Sequence, residues 1–167
     1  MHSTNSIVLP VRQFRRNLAK ATAAAAFLLA VSPGASFAQT QTVNAKEVAK
    51  AFFELAFVQG HVTEAALKYI SPTRYIQHNP MVADGRDAFL QTIPALVKAS
   101  GRRAEIKRIV AEGDLVVVHA RTTVPGKPEE AARAVMDIFR IENGLIVEHW
   151  DTIQEVPATT ANGNGMF

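Results

Sequence analysis

Apolar residues along the first part of the chain recur every three to four positions, which is the spacing of amphipathic helices. Asn44 followed by Glu47 resembles a capping box, and this pair places the start of a helix here. The apolar positions continue as far as Gly60, a residue type that commonly ends helices. The pattern therefore predicts a helix over 45–59.

Two further helices are predicted before the spacing changes. A short one covers 63–69 and ends at a Ser-Pro pair, because the residue before a proline disfavours helical geometry. The other follows Arg86 and ends at Gly101, and Pro94 inside it predicts a kink or a break. Between these two helices, residues 75–80 are predicted to be a short extended segment.

Beyond the third helix the apolar period falls to two, which is typical of strands. Four strands are predicted, over 103–111, 115–124, 132–142 and 145–156. Asn143-Gly144, between the last two, is the dipeptide most typical of a tight β-hairpin. Helices followed by an antiparallel meander indicate an α+β fold with the helices on one face of a curved sheet.

The first 38 residues have the pattern of an export leader. Basic residues come first, at Arg12, Arg15, Arg16 and Lys20. The apolar run over 21–31 is shorter than the roughly 20 residues that a membrane-spanning helix needs, and Ser36-Phe37-Ala38 resembles a cleavage site. We predict cleavage after Ala38 and a periplasmic or secreted product. Arg15-Arg16 also resembles a twin-arginine signal, and an ordinary secretory leader is the alternative.

Removing this leader changes the charge of the protein. The leader carries four of the 18 Lys and Arg residues and no acid, so the remainder has 14 basic and 15 acidic residues. A domain without basic excess favours neither nucleic acid nor an anionic membrane as a partner. Cysteine is absent, which excludes thiol nucleophiles and thiolate metal sites. We expect one domain over 39–157 and a disordered tail over 158–167.

Three segments together resemble the SnoaL-like polyketide cyclase family of the nuclear transport factor 2-like superfamily. They are Tyr75-Ile76-Gln77-His78-Asn79-Pro80, Asp84-Gly85-Arg86, and the run from Asp137 to Asp151. The resemblance implies a cone-shaped curved antiparallel sheet, with about three N-terminal helices packed on its concave face around an enclosed pocket. It also implies a homodimer. Because the superfamily includes cyclases, isomerases, dehydratases, hydrolases and non-catalytic binders, the fold does not select the chemistry.

Asp137 is the first candidate for catalysis. Strand alternation places it on one face with Val135, Phe139 and Ile141, so it is a carboxylate in an apolar row. If that face lines a pocket, burial raises the pKa of Asp137 and makes it a usable base near neutral pH. The resemblance also places the acid/base aspartate of the family in this strand. The alternative is a structural ion pair with an arginine, Arg121 or Arg140.

Two histidines are further candidates. His119 lies on the strand next to that of Asp137, and a His–Asp pair across the two strands would be an acid–base couple. The alternative for His119 is a core residue. His78 and Asn79 precede Pro80, where either side chain could hydrogen-bond a substrate oxygen, and ordinary turn chemistry is the alternative.

Apolar side chains are predicted to line the pocket. The candidates are Tyr75, Phe53, Met81, Phe139 and Trp150. The last strand is ambiguous, because Val147, His149 and Asp151 form one row while Ile146, Glu148 and Trp150 form the other. Both rows mix apolar and polar residues. Trp150 is chosen for its size, with a place in the core or in a dimer interface as the alternative.

A metal site is a third possibility, since two-His-one-carboxylate ligands are present among His78, His119, His149 and Asp137. No tight spacing such as His-x-His occurs, so we expect neither a metal nor another cofactor. The sequence thus favours a cofactor-free acid–base enzyme, catalysing an aldol cyclisation or an isomerisation of a small apolar carbonyl compound. The alternative is a non-catalytic periplasmic protein that binds a small molecule in the same pocket.

Overall fold

The computed structural model describes residues 44–127 and 132–167. Its helices are α1 (Ala45–Phe53), which runs on into a π-helical turn (Glu54–Val58), α2 (Val62–Tyr69) and α3 (Arg86–Ser100). Its strands are β1 (Ile76–Gln77), β2 (Arg103–Glu112), β3 (Leu115–Thr123), β4 (Arg133–Glu142) and β5 (Leu145–Glu155). The predicted leader over 1–38, with its cleavage site, lies outside the described residues.

The helix boundaries follow the local sequence signals. The side chain of Asn44 accepts a hydrogen bond from the Lys46 amide at 3.1 Å and so caps α1. Gly101 ends α3 with φ of 63°, a left-handed conformation that glycine adopts without strain. The α3 helix continues through Pro94, so of the two predicted alternatives the break is wrong and the kink stays a prediction. Packing of the α3 apolar face, including the buried Phe89, holds the helix together across the proline.

The sheet has the strand order β1-β5-β4-β3-β2. The four long strands pair antiparallel, as the sequence predicts, and their observed ends differ from the predicted ones by a single residue. The short strand β1 pairs parallel with β5, so the described sheet is mixed. Asn143 and Gly144 both have positive φ, 50° and 79°, which is the geometry of a type I′ hairpin turn.

A one-residue bulge in β5 sets the register between the last two strands. Ile141 pairs with Ile146, but Arg140 pairs with Glu148, so Val147 is the extra residue. Beyond the bulge, Asp137 lies directly opposite Asp151. Every side chain of β5 beyond Val147 therefore lies on the opposite face of the sheet from the one that it would occupy in an unbulged hairpin.

The helices pack on one face of the sheet and form the core with it. Phe52 and Phe53 of α1, both almost fully buried, pack with Val116, Val118 and other inward residues of the sheet. Burying an aromatic side chain of this size contributes about 2–3 kcal/mol. Three helices over a five-stranded sheet make the described chain α+β, as predicted.

The chain beyond β5 has no regular secondary structure. Its last residue, Phe167, stacks on the His119 ring with a centroid distance of 5.7 Å. The disorder of 158–167 in solution stays a prediction. Within the described part of the chain, none of the helices combines the length and the apolar character that a membrane span requires.

Candidate active site

A cavity of about 400 Å³ lies between the helices and the inner face of the sheet. Most of its wall is apolar, and the aromatic part of the wall consists of Phe52, Phe53, Phe57, Tyr75, Phe89 and Phe139. One group of polar side chains in this wall consists of Tyr75, Gln77 and Asn79 together with Asp137, His149 and Asp151. A mostly apolar cavity with a few convergent polar groups is the usual form of a small-molecule site.

Asp137 and His149 form a buried pair at the centre of this polar group. The Asp137 Oδ1 and His149 Nε2 atoms are 3.0 Å apart, and the two residues are 6% and 8% exposed. Burial raises the pKa of Asp137 above its ordinary value, and the hydrogen bond to His149 opposes that rise only in part. Asp137 Oδ2 has no hydrogen-bond partner among the described residues, so it is free to act on a molecule in the cavity.

The hydrogen bonds around His149 show how many protons this pair holds. Gln77 Oε1 accepts the backbone N–H of Asn79 at 2.9 Å, so it is an acceptor, and His149 Nδ1–H must donate to it at 2.9 Å. A proton then lies between His149 Nε2 and Asp137 Oδ1, because two bare lone pairs would repel. The pair is either imidazolium with carboxylate or imidazole with carboxylic acid, and it carries no net charge in either form.

Tyr75 supplies a hydroxyl group next to the pair. Its oxygen accepts a hydrogen bond from Gln77 Nε2 at 3.1 Å, and its own proton has no acceptor within residues 44–127 and 132–167. Burial and then the charge of Asp137 raise the pKa of Tyr75 above its ordinary value, so the phenol stays protonated at neutral pH. Tyr75 is therefore a donor for an oxygen atom of a ligand.

Asp151 is a second carboxylate in the group and is held by Asn79. The Asn79 Nδ2 atom donates to both carboxylate oxygens of Asp151, at 3.0 and 2.8 Å. Asn79 Oδ1 in turn accepts the backbone N–H of Met81 at 2.9 Å. The Asn79 amide is thus engaged with protein groups, and its main effect is to orient Asp151.

The structure brings five of the predicted site residues to the cavity wall: Asp137, Tyr75, Asn79, Phe53 and Phe139. The predicted pair of His119 with Asp137 is wrong. Val118 is the residue opposite Asp137, so His119 faces the other side of the sheet. There, His119 Nδ1 bonds Arg108 Nη1 at 3.0 Å, and burial together with the Arg108 charge lowers the pKa of His119.

Three more predicted site residues lie away from the cavity. His78 and Trp150 stack on each other on the outer face, with ring centroids 4.6 Å apart, and His78 Nε2 also contacts Glu148 Oε1 at 2.9 Å. The register beyond the β5 bulge turns Trp150 outward. Met81 is 81% exposed on the loop before α3 and does not line the cavity. The positions predicted for His78, Trp150 and Met81 are therefore wrong.

The ion pair that was the structural alternative for Asp137 is also not formed. Arg140 lies on the outer face, where its Nε donates to Glu148 and its Nη1 to Asp114, at 2.9 and 2.8 Å. Arg121 is an outward residue of β3, since its neighbours on either side, Ala120 and Thr122, face the cavity side. The partner of Asp137 is instead a histidine on the neighbouring strand.

Sequence reasoning missed Gln77 and Asp151 as site residues and considered His149 only as a potential metal ligand. His149 and Asp151 lie in one of the two rows of β5, between which alternation alone could not choose. One signal was present in β3, where the row Val116, Val118, Ala120 is wholly apolar and fully buried. The row containing His119 is mixed, and comparing the two rows would have placed His119 on the outer face.

Only two of the four potential metal ligands considered from the sequence, Asp137 and His149, lie together in the structure. One ligand atom each from Asp137, His149 and Asp151 lie within 4.8 Å of one another. His78 and His119, two of the four residues considered from the sequence, lie on the opposite face. The three grouped residues already bond each other or Asn79, so their geometry is explained by hydrogen bonding.

Comparison with known proteins identifies the family. The family model of the SnoaL-like domain matches residues 49–149, which include α2, α3 and the polar group of the cavity up to His149. The chain belongs to the SnoaL-like domain family. A comparison with curated protein sequences gives no significant match.

Several solved structures resemble this SnoaL-like domain. TsrD from Streptomyces laurentii is 22% identical with a TM-score of 0.52, over 65% of this chain and 87% of TsrD. A candidate polyketide cyclase from Acidithiobacillus ferrooxidans has the same identity and coverages with a TM-score of 0.54. An NTF2-like protein of unknown function from Mesorhizobium loti is 20% identical with a TM-score of 0.53, over 66% of this chain and 90% of that one. These identities show a shared fold alone.

Proposed function

We propose that this SnoaL-like protein is an acid–base enzyme that removes a proton from the carbon next to a carbonyl group of a small, mostly apolar compound. This step is common to aldol cyclisation and to isomerisation. The observation that carries the proposal is the buried Asp137–His149 pair, whose one free carboxylate oxygen lies in the wall of an apolar cavity. A carboxylate with a raised pKa in an apolar site is suited to proton transfer near neutral pH.

Each polar group of the cavity has a role in this step. In the ion-pair form, Asp137 Oδ2 accepts the proton from carbon and becomes a carboxylic acid. Negative charge then develops on the carbonyl oxygen, where the Tyr75 hydroxyl can donate a hydrogen bond. The positive charge of His149 balances the enolate formed, so the site stays neutral overall. In an isomerisation Asp137 returns the proton to another carbon. In an aldol closure the enolate carbon attacks a second carbonyl, and the alkoxide formed takes the proton from Asp137, which restores the carboxylate.

Deuterium uptake in D₂O tests the proposal without knowledge of the natural substrate. The probe is 2-tetralone, an uncharged bicyclic ketone with acidic C–H groups next to its carbonyl, followed by proton NMR. We expect the protein to accelerate the exchange above the buffer rate. Binding of the ketone without any acceleration would instead support a non-catalytic small-molecule-binding protein.

We further propose that the protein is a homodimer formed through the outer face of the sheet. Val110, Val117, Ile138 and Trp150 are register partners and make one apolar row across β2 to β5. Val110, at the β2 end of this row, is 63% exposed. The other three residues of the row are half-buried, and an apolar row that stays partly accessible across four strands is typical of a protein–protein interface.

Replacing Ile138 with lysine is expected to convert the dimer to monomers, because it places a charge at the centre of the apolar row. Light scattering at micromolar concentration measures the change. Leu67→Lys is the matched control, since Leu67 is a 55% exposed apolar residue of α2, away from the sheet. An unmutated protein that is already monomeric rules out the interface.

Export is the third proposal, and it rests on the sequence of residues 1–38 alone. Expression in a bacterial host is expected to yield a periplasmic chain that begins near Gln39, because Ser36-Phe37-Ala38 presents small residues to a signal peptidase. Intact-mass measurement on the periplasmic fraction checks the cleavage position. A full-length product in the membrane fraction contradicts the proposal.

A further inference from the structure

The ionisable residues of the cavity wall are divided between its two ends. Asp137, Asp151 and His149 belong to the polar group described above. Among the described residues, the other charged residues of the wall are all arginines: Arg102, Arg103 and Arg133. Val135 lies between Arg133 and Asp137 on the same face of β4, and apolar side chains such as Phe52 and Val97 also line the cavity. A molecule that fills the cavity therefore meets acid–base chemistry at one end and guanidinium groups at the other.

The position of Arg133 relative to Asp137 follows from the strand that carries both. Arg133 lies four residues before Asp137 on β4, on the same face, so the two Cα atoms are roughly 13 Å apart. Arg133, its register partner Thr122 and the next partner, Ala104, form one row across three strands, and all three line the cavity. This row marks the arginine end of the cavity.

The ion pair between Arg133 and its acidic partner neutralises only a small part of the Arg133 charge. Arg133 Nη2 contacts Glu155 Oε1 at 3.2 Å, but the Glu155 side chain is 78% exposed, and such exposed pairs are weak. The Nε of Arg133 is buried and has no hydrogen-bond partner among the described residues. A planar guanidinium with unused donors is well suited to binding a carboxylate or a similar oxyanion.

Two further arginines, Arg102 and Arg103, line the cavity wall together with Arg133. Burial, followed by the charge of Arg133, lowers the pKa of Arg102. The third, Arg103, lies at the exposed rim, where its guanidinium packs 3.4 Å from the position that a Cβ would occupy at Gly60. An anion bound at this end of the cavity therefore meets a wall that carries several positive charges.

We propose that the ligand of this cavity carries an anionic group of the carboxylate type at the end remote from its reactive carbon, and that Arg133 is the principal residue that binds this group. The inference rests on the proposed function for the identity of the reactive end. It changes the expected substrate from an apolar carbonyl compound to an amphiphilic one, an apolar body with a charged end. Arg133 then determines specificity without taking part in proton transfer.

A pair of fluorescent probes tests the proposal by direct binding. The probes are 8-anilino-1-naphthalenesulfonate and N-phenyl-1-naphthylamine, which share one aromatic skeleton and differ in the anionic group alone. We expect the unmutated protein to bind the sulfonate at least about tenfold more tightly, the gain of one charge-assisted hydrogen-bonded contact. Displacement of each probe by the other shows that both occupy one site.

Arg133→Gln is expected to remove most of the preference for the sulfonate while leaving the affinity for the uncharged probe unchanged. Arg133→Lys, which keeps the charge but not the planar fork, should retain part of the preference. Arg108→Gln is the matched control, because Arg108 lies beside His119 on the outer face. Equal affinities of the unmutated protein for both probes, or an unchanged preference in Arg133→Gln, overturns the proposal.

The outcome is independent of the proposed reaction. Exchange of 2-tetralone depends on Asp137 and involves no anionic group, so a failure of the arginine proposal leaves that exchange intact. Conversely, a protein that prefers the sulfonate through Arg133 but does not accelerate exchange binds anionic amphiphiles without the proposed chemistry.

Discussion

Replacing Asp137 with asparagine is expected to lower the accelerated deuterium exchange of 2-tetralone by at least about 10²-fold, the usual contribution of a general base. The amide has nearly the shape of the carboxylate, but it cannot take a proton from carbon. The stability of the protein should change by less than about 1 kcal/mol, because the amide N–H can donate to the bare Nε2 of neutral His149. The measurements are NMR exchange rates and thermal melting.

Asp114→Asn is the matched control for this variant. It makes the same chemical change in an exposed turn, where Asp114 pairs with Arg140 on the outer face. Its exchange rate should equal that of the unmutated protein. Unchanged exchange in Asp137→Asn, together with an unchanged melting temperature, excludes Asp137 as the base, and Asp151→Asn then tests the second carboxylate.

Of the variants described here, His149→Leu is expected to lose the most stability, about 3–5 kcal/mol at neutral pH. The change leaves the Asp137 carboxylate buried without a partner and removes the donor to Gln77 Oε1. For a domain of this size, the loss corresponds to a fall in melting temperature of roughly 10–20 °C. Denaturant unfolding measures the free energy directly.

The pH dependence of this loss has a definite sign. Burial already raises the pKa of Asp137 in the folded protein, and removing His149 raises it further. A group whose folded pKa is raised contributes stability below its unfolded pKa, about 4 for Asp, and that stability is lost as the pH rises. The deficit of His149→Leu should therefore be small near pH 4 and larger at pH 6.5.

A double variant separates the loss of the pair from the loss of packing. Replacing both Asp137 and His149 with leucine removes the charge as well as its partner, so much of the stability should return. If the double variant is as unstable as His149→Leu alone, the unpaired carboxylate is not the cause of the loss. A deficit that does not vary between pH 4 and pH 6.5 has the same meaning.

The order of the helices and strands could be predicted from the sequence because each depends on local signals. Asn44 caps its helix, Gly101 ends another, and Asn143-Gly144 makes the hairpin, each through contacts within a few residues. The position of Asp137 on the inner face followed in the same way. Asp137 lies on the same face of its strand as Val135 and Phe139, and a row this apolar is stable only when it is buried.

The partner of Asp137 could not be predicted, because it depends on the pairing between strands. An unbulged hairpin at Asn143-Gly144 places Trp150 opposite Asp137. The single extra residue Val147 shifts the register by one and places Asp151 there instead, with His149 on the same inner face. A shift of one residue exchanges the two faces of a strand, and both rows of β5 were chemically acceptable on either face.

The sequence by itself therefore determined the α+β class, the order of the strands along the chain and the one carboxylate that had to be buried. Only the tertiary structure decided which groups meet that carboxylate. It brought His149 and Gln77 together across the parallel pairing of β1 with β5, and it set the register of β5 that places His149 beside Asp137. These contacts join residues that are far apart along the chain, so no local periodicity or turn signal in the sequence predicts them.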